Sequence, residues 1–581
     1  MKNILYINHK ENQCGVYQYG KSIGNALSGS GKYNFIYCEL GDLKELKDQI
    51  KKHEPVCVIF NYHPATVPWI DKNTKYHVKA PFVGTIHEVT QQLADKADDN
   101  LFDYHIAPDP TLLLRNPIVF KTGRLINKYL GGENETAKSN TDTIVGSFGF
   151  GTAGKGFEKI IEQTQKEYDE ATIRLNIPFA EFGDKDGSNA RKIADDCRML
   201  VTKKGINLVI THDFWDNAEL GKFLNSNTVN VFFYEEGTNR GLSSTIDFAL
   251  GVDRPIAVTK SSLFRHIRHT RPSICIEDSG LKEIIKNGTT PLQKFKRDWT
   301  PENTLWEYER IVNAILGISK IKRTHPFIGK VKQKLGKKKS KQPFTWIRND
   351  EVYYNDEATF VKHVNFSTAG TRKTFNRILD NAARDLYAPV VEQMIKEMPN
   401  TMAKKIPEAN VQQAFVLDTI YTFIEPIQTP KILCVGSYES TDAMFLKKAG
   451  YDIDEIDPVL NYSLEEFFTK PSTQKNSYDI VFSTSVIEHV ENDGLFVTQI
   501  GELLKPGGVG IITCDFKEGF KKGDAKPDVD YRFYTQDDFD RFMKSLPGCV
   551  LVDKPHWDCS NPDFNYGGYN YTFATFCFRK Q

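Results

Sequence analysis

Short apolar runs alternate with amphipathic stretches along most of the chain. Ile4–Ile7 reads as a strand and is followed by a loop and a helical stretch beginning near Gly15 (NQCGVYQYGKSIGNALSG). Further strand-like runs fall at Val56–Phe60, Phe82–His87 and Asp103–Ala107. The pattern restarts at Thr143, where TIVGSFGFG runs into a Gly-rich loop and KGFEKIIEQTQKEY follows with helical periodicity. Strands recur at Asn207–Thr211, Val229–Tyr234 and Pro255–Thr259. Such alternation predicts parallel sheets with helices on both faces. Two doubly wound units in succession, residues 1–140 and 141–318, predict a ligand cleft between twin Rossmann-like domains.

Residues 343–427 are rich in helix formers, with helical periodicity over Phe375–Glu397 and Val411–Ile424. KILCVG (Lys431–Gly436) opens a third strand–loop–helix series. It continues through DIDEIDP, SYDIVFSTSVIEHV, the helix of LFVTQIGELL, a KPGG turn and the strand GVGIITCD. GCVLVDKP and YTFATFCFRK then read as two strands around a Gly/Asn/Asp-rich loop, suited to antiparallel pairing.

Composition narrows the class. With 581 residues, 40% hydrophobic and 26% charged, the chain is a folded multidomain protein. Lys+Arg and Asp+Glu are each 75. That balance argues against a nucleic-acid binder, which needs a basic excess to displace counterions. One block departs from it: Ser319–Lys341 holds ten Lys/Arg and no acid. Residues 319–342 therefore read as a basic linker between the N-terminal part and residues 343–581, and as a candidate contact for anionic lipid headgroups or glycans. No apolar run is long enough to cross a bilayer. MKNILYINHK reads as a first strand rather than a signal peptide, and the ten cysteines show no C-x-x-C pair. The expectation is a reduced, cytoplasmic location, with peripheral membrane contact through the basic block. Asp184-Lys185-Asp186 spells D-x-D within GDKDGS and reads as a surface turn, so no metal is expected there.

Lys155-Gly156-Phe157 opens a helix after the second Gly-rich loop, and Gly15-Val16-Tyr17 occupies the first. On these residues, residues 1–318 resemble the GT-B glycosyltransferases, the large retaining class that uses nucleotide sugars. The resemblance implies that Gly15 faces the donor and that Lys155 holds its diphosphate, where helix dipole and side-chain charge act together. The family carries an Arg shortly before this Lys, but Ser147–Phe150 holds no base. Arg240 is the candidate replacement. The family also places two Glu eight positions apart. In YEEGTNRGLSSTIDFALGVDRPIAV that spacing falls on Asn239 and Asp247, with Glu235 and Glu236 just upstream. Asp247 is thus the candidate ribose contact and Glu236 a candidate catalytic acid. His87, ending the strand in GTIHEVT, stands where relatives turn a histidine to the sugar; it also suits an ordinary strand end.

YDIVFSTSVIEHV followed by LLKPGG and a strand resembles the class I S-adenosylmethionine-dependent methyltransferases, over residues 400–581 or so. The family's first strand ends in acid-x-Gly-x-Gly; here Cys434-Val435-Gly436-Ser437-Tyr438 keeps one glycine and lacks the acid. The resemblance implies cofactor contacts at Gly436, Ser437 and Glu488. It implies a ribose-binding carboxylate at Asp457, or at Asp454 if the strand is shorter. His489 is the candidate general base for a hydroxyl acceptor, having the right chemistry near neutral pH. Asp515 and DYRFYT lie near the expected acceptor pocket, and HWDCSNPDFNYGGYNY offers aromatic faces to a pyranose or anchors a long hairpin loop.

The expectation is an α/β chain: twin Rossmann-like domains (GT-B), then a third Rossmann-like methyltransferase domain. It would transfer a sugar from a nucleotide-diphosphate sugar to a glycan or glycolipid and O-methylate a sugar hydroxyl with S-adenosylmethionine. Alternatively, the GT-B part is a non-catalytic glycan-binding module serving the methyltransferase, or the chain is a scaffold.

Overall fold

The computed structural model describes residues 1–11, 14–126, 143–179, 184–237, 240–318, 374–403, 405–528 and 530–581. The basic block 319–342 lies outside the described residues. The chain divides into two compact units, Met1–Ser340 and Lys341–Gln581.

The first unit holds two all-parallel sheets. One comprises β1 (Lys2–Asn8), β2 (Tyr33–Glu39), β3 (Cys57–Phe60), β4 (Phe82–Thr85), β5 (Tyr104–Ala107) and β6 (Val119–Lys121), in the order β2-β1-β3-β4-β5-β6. Its central strands are apolar on both faces: Cys57–Phe60 and Ile4–Tyr6 are wholly buried, as helix-covered parallel strands must be. The second sheet comprises β7 (Ile144–Phe148), β8 (Glu170–Asn176), β9 (Gly205–Thr211), β10 (Val229–Phe232) and β11 (Ile256–Val258), in the order β11-β10-β7-β8-β9. In each sheet the order reverses beside the first strand, between β1 and β3 and between β7 and β10. Open α/β sheets bind ligands at the carboxyl side of such switch points. The helix Pro301–Ile318 ends the unit and packs on the first sheet, not the second: Tyr308, Ile311, Val312 and Ile315 share a core with Ile4, Ile59 and Val83.

The second unit is built on one mixed sheet. Its strands are β12 (Ile432–Val435), β13 (Ile453–Ile456), β14 (Tyr478–Thr484), β15 (Leu504–Phe516), β16 (Cys549–Leu551), β17 (Phe564–Tyr566) and β18 (Tyr569–Lys580). The order is β13-β12-β14-β15-β18-β16, with β17 on β18; β12 to β15 run parallel and β18 runs antiparallel to both β15 and β16. KPGG is not a free turn. Leu504 already pairs with Tyr478, the register slips between Tyr478 and Ile480, and Gly507 takes φ +82°. The lead-in helices Asn381–Glu397 and Asn410–Ile424 bury Tyr387, Val390, Phe415 and Ile420 in the same core as Ile432 and Ile480. Residues 375–380 are not helical as the periodicity predicts. Ile378 and Leu379 donate backbone hydrogen bonds to His556 and Phe573, which draws this stretch out along the sheet.

The fold is therefore α/β throughout, twin Rossmann-like lobes followed by a third Rossmann-like sheet.

Candidate active sites

In the first unit, a cleft of about 940 Å³ lies between the carboxyl ends of β1 and of β7 and β10; Gly15, Tyr19, Phe148, Lys155 and Tyr234 are among its walls. The sequence builds each wall locally. Gly15 starts the helix Gly15–Leu27, whose N-cap, Cys14, makes no side-chain cap, so its first backbone N–H groups stay open. Two buried asparagines hold that first turn: Asn61 Nδ2 donates to Val16 O (2.7 Å) and Asn8 Nδ2 to Tyr17 O (3.1 Å). On the opposite wall Gly156 has φ +65°, and a Cβ there would lie 2.1 Å from Phe233 O. Only glycine fits, and it fixes where Lys155 leaves the loop. Lys155 Nζ stands 4.0 Å above the Tyr234 ring and has no carboxylate partner among the described residues. A half-buried ammonium on an aromatic face, beside helix Phe157–Glu167, is suited to a diphosphate.

Arg240 also lines the cleft; its Nη2 lies 3.9 Å from Glu88 Oε1. Asp247 reaches the wall from the helix Thr245–Leu250, but both carboxylate oxygens are taken by Arg124, with Nε to Oδ1 at 3.0 Å and Nη2 to Oδ2 shorter still. Glu236 is not a wall residue. Its carboxylate accepts from Ser262 N at 3.1 Å, at the start of the short turn Ser262–Phe264. His87 is not on the wall either. Its Nε2 is 2.7 Å from Asn61 Oδ1, its ring meets Tyr19 edge-on, and burial with nearby His63 and Arg124 pushes it down to about 3, so it is neutral at physiological pH. Asn239 lies outside the described residues. Asp184 caps the helix Ser188–Leu200 through Asn189 N and Ala190 N, and Asp186 accepts from Ser188; the D-x-D is spent on a turn.

Sequence reasoning missed Arg124, whose partner is 123 residues away. It also missed Phe150 and Phe214, stacked 6.3 Å apart on the cleft wall; Phe214 is 45% exposed, as a stacking face for a planar ring would be.

In the second unit, Gly436 follows β12 with φ +83°, and a Cβ would lie 2.3 Å from Val486 Cγ2. Gly436 N donates to Ile456 O, so the loop after β12 leans on the end of β13. Asp457 follows β13 directly. Its Oδ2 accepts from Tyr438 N (3.3 Å) and its Oδ1 from Val459 N (2.7 Å), and burial raises its pKa. Asp454 instead accepts from Tyr478 OH within the sheet, away from the carboxyl edge. Among the described residues, Ser437 Oγ and Glu488 Oε2 are buried without a hydrogen-bond partner. A glycine crowded by Val486, two orphaned polar atoms and a strand-end carboxylate are a set that fits S-adenosylmethionine.

Beyond β14, Glu488 is 1% exposed, with Oε1 accepting from Ser485 Oγ at 2.7 Å. Burial raises both Glu488 and Asp515; the charge of Asp530 adds to the rise in each, and that of Glu488 to the rise in Asp515. His489 is exposed, its Nδ1 3.0 Å from Oδ1 of the buried Asp530. Residues 442–512 match a family model described as a methyltransferase domain. That methyltransferase-type segment spans helix Thr441–Lys448 through β15, the part of the sheet carrying Glu488 and His489. The late aromatic loop is largely an anchor: Trp557 is buried, donates Nε1–H to Thr575 O and packs on Phe539, while Tyr566 stays exposed.

Among solved structures, the chain is similar to HepE of Anabaena in complex with UDP and glucose, at 12% identity over 54% of this chain and all of that one, TM-score 0.40. It is similar to a glycosyltransferase from Rickettsia africae (10%, 55% of this chain and 99% of that one, 0.41). It is also similar to a sucrose-phosphate synthase from Thermosynechococcus elongatus (12%, 55% and 100%, 0.42). No curated protein matches the chain in sequence.

Proposed function

We propose that the first unit transfers a sugar, with retention, from a nucleotide-diphosphate sugar to a glycan or glycolipid, and that the second O-methylates a sugar hydroxyl. The observation that carries the first half is Lys155, unpaired by any carboxylate among the described residues and held at a switch-point cleft. Lys155 and the open N-terminus at Gly15 bind the diphosphate, Arg240 adds charge, and Phe150 with Phe214 stack on the base. His87 backs the sugar site through Tyr19.

In the second unit Asp457 accepts from the ribose hydroxyls, Gly436 and Ser437 line the methionine end, and Glu488 closes the pocket floor. S-adenosylmethionine supplies an activated methyl group on a sulfonium. His489, its Nδ1 held by Asp530, takes the proton from the acceptor hydroxyl as the oxygen becomes a nucleophile. Among the described residues no helix is long and apolar enough to cross a membrane. The basic block 319–342 would bring a cytoplasmic enzyme to an anionic surface where a glycolipid acceptor lies.

The test is the full-length protein with a panel of UDP-, GDP-, ADP- and dTDP-sugars and with S-adenosylhomocysteine, read by thermal unfolding. Stabilisation by one nucleotide sugar and independently by S-adenosylhomocysteine supports the bifunctional reading. A second reading keeps the methyltransferase and makes the first unit a glycan-binding module. It is favoured by Asp247 being consumed by Arg124 and Glu236 lying off the cleft, and it expects no response to any nucleotide sugar.

A further inference from the structure

The strand that opens the second unit's site, β12, carries Cys434, a buried thiol, one residue before its end, yet the loop after it is held by a carboxylate that arrives from elsewhere. Asp442 sits in the first turn of the helix Thr441–Lys448 and is wholly buried. Its Oδ1 accepts from Ala443 N at 2.8 Å and from Ser440 Oγ, and its Oδ2 accepts from Thr484 Oγ1 at 2.6 Å. Thr484 is the last residue of β14, and Ser440 is the N-cap of the helix and touches Cys434 Sγ at 3.7 Å. Ser440 N in turn donates to Ser437 O. One carboxylate therefore ties the loop 436–440 to β14, while Gly436 N, Ser437 N and Tyr438 N tie its other side to Ile456 O and Asp457.

We infer that Asp442 is the positioning residue of the cofactor loop, holding Gly436–Ser440 in the shape that binds S-adenosylmethionine. The inference rests on the methyltransferase reading and deepens it. A buried carboxylate costs desolvation that an apolar residue would not, so net stability is a poor account of it. What it adds is direction: three donors from two elements converge on one group. Burial raises the pKa of Asp442, and the hydrogen bonds from Ser440, Thr484 and Ala443 oppose that rise. An amide could hold the same three partners, its oxygen accepting from Ser440 and Ala443 and its N–H donating to Thr484.

The experiment is calorimetric titration of the full-length protein with S-adenosylhomocysteine. Asp442→Ala should weaken binding at least tenfold, and Asp442→Asn should stay within about threefold of wild type. Thr484→Val should weaken binding in the wild-type background and add little in Asp442→Ala, because the two share one bond. Leu446→Ala, a cavity in the same helix, should lower the melting temperature and leave affinity unchanged. If Asp442→Ala does not fold, Asp442→Asn and Thr484→Val decide the question. Wild-type affinity in Asp442→Ala or Thr484→Val, additivity of the two, or an equal loss in Leu446→Ala would overturn the inference while leaving the methyltransferase reading intact. Failure of the unmutated protein to bind would overturn both.

Discussion

Arg124 grips Asp247 through both carboxylate oxygens, joining the loop after β6 to the helix that walls the first unit's cleft. Both side chains are largely buried, at 6% and 13% exposure, and Arg124 Nη1 also donates to Pro108 O at 2.7 Å. Removing one partner leaves the other charge buried and alone. Arg124→Ala should therefore destabilise the first unit by about 3–5 kcal/mol. The double variant Arg124→Leu/Asp247→Leu should recover much of that loss. Urea unfolding followed by a probe in the first unit measures both, and equal losses in the two would show that packing rather than charge pairing matters.

Lys155 is the next case. Lys155→Ala should weaken nucleotide-sugar binding about tenfold or more, roughly 1.4 kcal/mol, and leave S-adenosylhomocysteine binding unchanged. Differential scanning fluorimetry with each ligand separately reads the two sites. Unaltered nucleotide-sugar stabilisation in the variant would remove Lys155 from the diphosphate site.

For Asp457, the proposed ribose contact predicts a loss of about tenfold or more in S-adenosylmethionine affinity on substitution by alanine, charge-assisted bonds being worth roughly 1.5–3 kcal/mol each. Its bond to Tyr438 N means that the loop shifts as well, so Asp457→Asn should fall between the two. Calorimetry orders the three proteins, and wild-type affinity in Asp457→Ala would exclude the ribose role.

The second unit should also respond to pH through Glu488. Burial raises its pKa, so the folded protein holds this proton more tightly than the unfolded chain does. Stability then falls as pH rises from the ordinary glutamate range through the raised value. Glu488→Gln removes that titration and should flatten the dependence, without abolishing it, because Asp515 is raised by burial in the same way. Urea midpoints from about pH 4 to about pH 8 test the slope.

What was legible in the sequence follows from which structures are local. The fully buried strands, such as Cys57–Phe60 and Phe82–Thr85, read as short runs dominated by apolar residues. Strands β2 and β8 did not stand out, because Tyr33–Glu39 is a half-exposed edge and Glu170–Asn176 carries polar residues at alternate positions. Lys155-Gly156 was legible for the same reason that it matters: a left-handed residue against a backbone oxygen demands glycine whatever surrounds it. Arg124 with Asp247, and His489 with Asp530, join residues distant in the chain, and no spacing rule reaches them. Sequence left the loop around Trp557 open between a sugar-facing and an anchoring role, because its neighbours in sequence are polar while its neighbours in space, Phe539 and Phe576, are core. Glu236 stood near the family's acidic spacing in sequence, but spacing does not say which way a side chain turns, and its carboxylate turns to Ser262 N.

The helix Pro301–Ile318 bears on the order in which the molecule is made. The first lobe's core encloses Tyr308, Ile311, Val312 and Ile315, which leave the ribosome only after the whole second sheet. Its opening strands therefore wait, with the helix Gly15–Leu27 uncovered on one side, while β7 to β11 are synthesised and fold. The earlier lobe is the later one to be finished. A version of it cut after β6 would lack one wall of its own core, whereas one that rejoined 301–318 to residues 1–126 through a short linker would carry every apolar side chain that the core contains.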